Sequence, residues 1–143
     1  MGKSIVEEFR TRVIMGLQAT GNAAAAGYVL PTAGASKITI RVIATMGDET
    51  DLVLTLKYAD DAYGANATAF TDVPLYVNGV REDTDSEVYT IGDDTGNKIV
   101  DFVVDPADIP DGKYIGISYA KSHAANLMTA LIIEDVMYKP TAT

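Results

Sequence analysis

The chain has no cysteine, no tryptophan and a single histidine, and its positive charge is scarce. Without cysteine there is no disulfide framework, no thiolate metal site and no thiol nucleophile, so folding must rest on packing and hydrogen bonds. A lone His123 excludes any centre that needs two imidazoles from one chain. Eleven Lys and Arg stand against twenty Asp and Glu, for a net charge of −9. A body so acidic repels a polyanion, and no nucleic-acid partner is expected. No apolar run approaches the roughly 18 residues that span a bilayer as a helix, and the opening residues lack the apolar core of a secretory signal. We therefore expect no membrane partner, and synthesis in a reducing cytoplasm.

The apolar residues that are present fall in short alternating runs, the period-two pattern of half-buried strands. Residues 37–45 are the clearest case: Ile38, Ile40 and Val42 alternate with Thr39 and Arg41. After a polar turn, Leu52, Leu54, Leu56 and Tyr58 repeat the alternation, which predicts an antiparallel pair. Further strands are predicted at 28–30, 67–77, 87–91, 98–104, 113–119 and 127–138, with Pro74 marking an edge or bulge and Asn78-Gly79 a tight turn. Strands at this spacing predict an all-β fold, an antiparallel β-sandwich or jelly roll of about eight or nine strands. We place that domain at residues 23–143, with residues 1–22 as an N-terminal arm or short helix.

The first residues support two readings. Ser4 and Glu7 have capping-box spacing, and Ile5, Phe9, Val13 and Leu17 recur every four residues as on a helix face. Residues 12–18 read equally well as an extended edge. Electrostatically the segment is distinct: residues 1–41 hold five Lys or Arg against two Glu, whereas residues 42–143 hold six against eighteen.

No motif of catalysis stands out. His123 has Ser118 and Ser122 near it in sequence, but neither serine sits in a Gly-x-Ser-x-Gly elbow, and a solvated loop histidine is the simpler reading. Aspartate pairs such as Asp60-Asp61 read as turn caps rather than acid and base. The loops holding Asp83, Asp85, Asp93 and Asp94 offer oxygen ligands for a weak Ca²⁺ site, although the EF-hand offsets fail. No phosphate-cradling glycine loop precedes a helix, so neither a cofactor nor enzymatic activity is expected. Tyr58, Tyr114 and Tyr119 leave a carbohydrate-binding module as an alternative, and they suit half-buried packing at least as well.

Three stretches, Ile38-Thr-Ile-Arg-Val42, Leu52-Val-Leu-Thr-Leu-Lys-Tyr-Ala-Asp-Asp61 and Phe70-Thr-Asp-Val-Pro-Leu-Tyr-Val-Asn-Gly79, resemble small structural proteins of tailed bacteriophages. Val100-Asp-Phe-Val-Val-Asp-Pro106, Tyr114-Ile-Gly-Ile-Ser-Tyr119 and Ile133-Glu-Asp-Val-Met-Tyr138 extend the likeness to capsid decoration, or cement, proteins over about residues 37–138. The resemblance implies a virion structural protein on the capsid surface. It would bind the major capsid protein, contact its own copies as a homo-oligomer, and stabilise the phage head; a tail or fibre adaptor is the alternative. It carries over no catalytic residue. For the docking segment we look to the basic N-terminal stretch: Arg10 and Arg12 for charge, with Phe9, Ile14 and Met15 as apolar anchors.

Overall fold

The computed structural model describes residues 6–92 and 95–138. Eleven strands follow one another: β1 (Val6–Ala19), β2 (Ala25–Val29), β3 (Ala35–Met46), β4 (Leu52–Ala59), β5 (Thr68–Ala69), β6 (Leu75–Val77), β7 (Val80–Arg81), β8 (Val88–Ile91), β9 (Gly96–Val104), β10 (Tyr114–Tyr119) and β11 (Asn126–Tyr138). One 3-10 turn, Pro106–Asp108, interrupts them, and no α-helix occurs among the described residues. The strands form two antiparallel sheets packed as a β-sandwich, the fold class predicted from the alternation. The first sheet has the order β1-β11-β3-β9-β6-β7, and the second runs β2-β10-β4, with β5 and β8 sharing the far edge of β4. The strand count exceeds the expected eight or nine because the run predicted at 67–77 divides into β5 and β6 and the Asn78-Gly79 turn adds β7. Asn78 (φ 50°) and Gly79 (φ 82°) both take the left-handed conformation that such a two-residue hairpin turn demands.

The core follows directly from the period of two. In β3, Ile38, Ile40, Val42, Ala44 and Met46 are buried, and in β4 so are Leu52, Leu54 and Leu56. Cross-strand register lines these up as layers: Arg12, Ile132, Ile40, Phe102 and Leu75 form one inward-facing row across five strands of the first sheet. Against that sheet pack Leu54, Ile115 and Ile117 of the second. Close approach of β2 to β10 depends on Gly116, where a Cβ would stand 1.8 Å from the Gly27 carbonyl oxygen.

Residues Val6–Ala19 require a correction. In place of an arm or short helix they form β1, the edge strand of the six-stranded sheet, paired with β11 from Val6 opposite Tyr138 to Ala19 opposite Leu127. The strand alternative, read over 12–18, describes them. Spacing of four residues misled the helix reading because it also satisfies a strand: positions 9 and 13 share parity and so share a face. Pairing to a neighbouring strand satisfies the backbone groups that a lone helix of this length would have to satisfy by itself. Ser4, half of the supposed capping box, lies outside the described residues.

Candidate interaction face

Along β1 the register slips twice against β11, between Val13 and Met15 and again between Met15 and Gln18. Each slip inserts an extra residue and reverses which side chains face the core. Before the first bulge, Phe9, Thr11 and Val13 stand opposite Asp135, Ile133 and Leu131 on the outer face of the sheet. Between the bulges Met15 turns inward opposite Ala130 and is 7% exposed. After the second, Ala19 is again opposite an outer-face residue, Leu127. The result is an edge strand that presents Phe9, Val13 and Leu17 to solvent at 68%, 60% and 72% exposure. Half-buried Leu127, Leu131 and Ile133 of β11 lie beside them, making an apolar band at one side of the sheet.

Moving across the sheet, the outer face turns mostly polar, with Ile43 opposite Ile99 as an apolar pair. Val13 and Leu131 begin a row that continues through Arg41, Asp101, Tyr76 and Arg81, one residue from each of the six strands. Arg41 grips Asp101 with two parallel hydrogen bonds, Nε to Oδ1 at 2.8 Å and Nη2 to Oδ2 at 3.0 Å. Arg81 lies over the Tyr76 ring, 5.8 Å from its centroid, and pairs with Asp85. The face is thus an apolar strip at the β1 edge bounded by a ladder of paired charges.

What anchors the edge strand is a buried carboxylate. Glu134 of β11 is wholly buried, and its Oε1 accepts from Arg12 Nε at 3.2 Å, from Arg12 Nη2 at 2.8 Å and from the Thr32 hydroxyl at 2.9 Å. The Thr32 backbone N–H donates to Oε2, and Arg12 Nη2 also donates to the Leu30 carbonyl. One carboxylate therefore ties β1 and the segment after β2 to β11, with its acceptor capacity filled by donors.

The five residues expected to form the docking segment separate in space. Phe9 and Arg10 are exposed, Arg12 is engaged by Glu134, Ile14 packs partly buried against the core, and Met15 belongs to that core. Val13 and Leu17, which complete the exposed row, were visible in the sequence only as a four-residue spacing. The loop aspartates also divide. Asp85 accepts from Arg81 and Asp83 is exposed, while Asp93 and Asp94 lie outside the described residues. Among the described residues, no group of three or more His, Asp or Glu is placed to hold a metal ion. His123 Nδ1 accepts from the Ala125 N–H at 3.0 Å, and the Ser122 hydroxyl donates to the Thr50 carbonyl. Tyr119 is a core residue, whereas Tyr58 and Tyr114 are half-buried. No helix among the described residues is long and apolar enough to cross a membrane. In comparisons with protein-family models, curated proteins and solved structures, the chain matches none.

Proposed function

We propose that this chain is a capsid decoration protein: a virion structural protein that binds the major capsid protein from outside and stabilises the phage head. The observation that supports this reading is the apolar strip of β1, where Phe9, Val13 and Leu17 are more than half exposed in a row. A contiguous apolar strip rimmed by charged side chains is the usual mark of a protein-binding surface. The virion partner comes from the resemblance of the strand sequences. Docking buries this strip against neighbouring capsid subunits, and a protein that binds only the assembled shell stabilises it by mass action. The work needs buried apolar anchors and shape complementarity, and Phe9 is the largest anchor available on the strip.

Cosedimentation with capsids that lack the protein, scored together with capsid melting temperature, tests this reading. Saturable binding with a raised melting temperature is expected. Val13→Glu and Leu17→Glu remove that binding while the isolated protein keeps its own melting temperature, because both side chains are exposed. No capsid binding by the native chain would overturn the reading, and binding to tails alone would make it an adaptor.

A further inference from the structure

Away from β1, at an end of the sandwich, the two sheets part around a cleft of about 670 Å³. This is the size range of pockets that enclose small organic ligands. Its floor is apolar. Phe70 and Tyr58 meet edge to face with ring centroids 5.2 Å apart, and buried Val73 and Val104 lie beside them. Its polar groups are unbalanced in sign: Asp72, Asp105 and Asp108 against Lys37.

These carboxylates come from separate parts of the chain. Asp72 stands in the turn between β5 and β6 with a left-handed φ of 51°, Asp105 follows β9, and Asp108 ends the 3-10 turn. Asp105 Oδ1 accepts from the Ala107 N–H and so caps that turn. Among the described residues, the carboxylates of Asp72 and Asp108 meet no hydrogen-bond donor of the protein. Lys37 lies opposite Asp135 in the pairing of β3 with β11, so the one cation of the lining already has an acidic cross-strand neighbour.

We propose that this cleft is a binding site for an organic cation on an apolar stem, a primary amine or a guanidinium. The apolar floor takes the stem, and the three carboxylates supply charge complementarity for its head. An anion meets three like charges there, and a neutral stem leaves them without the counter-charge that favours binding. The same chemistry is carried by a free alkyl- or arylamine and by an Arg or Lys side chain of a protein. This assignment stands apart from the capsid reading, since its lining includes no residue of β1.

The test is a titration of the full chain, followed by NMR, with benzylamine and with acetyl-Leu-Arg-Leu-amide. Benzyl alcohol, benzoate, methyl glucoside and acetyl-Leu-Gln-Leu-amide are the controls. We expect at least one cation to saturate with shifts at Phe70 and Tyr58, while the four controls do not. Both cationic probes support the site, and the tighter one distinguishes a free amine from a protein-borne side chain. Asp105→Asn with Asp108→Asn should weaken the cation roughly tenfold. Asparagine keeps the cap at position 105, so the melting temperature should hold. Lys37→Gln should tighten it. Equal binding of benzyl alcohol, preferential binding of benzoate or the glucoside, or no saturation by either cation up to about 10 mM would overturn the proposal.

Discussion

The two faces of the six-stranded sheet use one alternation for opposite ends. Inward, Ile40, Phe102 and Ile132 form a dry layer, and one of the polar side chains buried on that face, Glu134, has its oxygens filled by Arg12 and Thr32. Outward, the ion pair Arg41–Asp101 is half wet, and three largely exposed apolar side chains, Phe9, Val13 and Leu17, stand on the β1 edge. The burial of a strand residue is set by which face and which strand it occupies, and only secondarily by its own polarity. A glutamate can lie at the centre of the protein and a leucine in water when register and hydrogen bonding decide their places.

The difference between the faces can be broken at graded cost. Phe102→Ala opens a cavity in the inward layer and is expected to lower unfolding stability by about 4 kcal/mol, measured by denaturant titration. Next in size, Arg12→Ala leaves the buried Glu134 without its cation and should cost about 3 kcal/mol. Amide hydrogen exchange along β1 should accelerate in that variant more than in Phe102→Ala relative to global stability. Adding Glu134→Gln removes the orphaned charge and should return part of the loss, which separates a charge effect from a packing effect. On the outer face, Arg41→Ala removes an equally well-formed pair, yet solvent reaches both partners, so the loss should be about 1 kcal/mol. A loss as large as that of Arg12→Ala would refute the contrast between a wholly buried carboxylate and one that solvent reaches.

The smallest effect is expected on acidification. Hydrogen bonds from Asn66, then from Lys113, hold the Asp60 carboxyl below its ordinary value, and Thr50 does the same for Asp48. Because the folded state depresses these values, their stabilisation is present above the unfolded carboxylate value, about pH 4. It disappears as the pH falls through the folded values. Asp60→Asn should therefore flatten the acid limb of a melting-temperature profile slightly and leave the neutral region unchanged.

Much of the sandwich was legible because its central strands obey a single rule. From Ile38 to Met46 in β3, Leu52 to Leu56 in β4 and Val100 to Val104 in β9 the residues at every second position are apolar, and burial repeats that spacing. The candidate surface was less legible. The row Phe9, Val13 and Leu17 could be read as one face under either a helical or an extended backbone, so its existence was visible while its strand was not. That Met15 turns into the core while Leu17 turns out could not be read, because a bulge changes parity between them and Gly16, which suits a bulge, does not fix the register on either side of it. The cleft was invisible for a related reason, since Tyr58, Phe70, Asp105 and Asp108 meet only when the strands that precede and follow them are paired.

By itself, then, the sequence determined the fold class. Period-two alternation, turn residues such as Asn78-Gly79 and the absence of cysteine leave a packed all-β chain as the consistent solution. Tertiary structure alone decided which strand became the edge, which charges were buried and where the sheets part. Each of those depends on strand order and register, and these are set by pairings between residues far apart in the chain: Arg12 with Glu134 is separated by 122 positions. Local preference carries no record of such a distance.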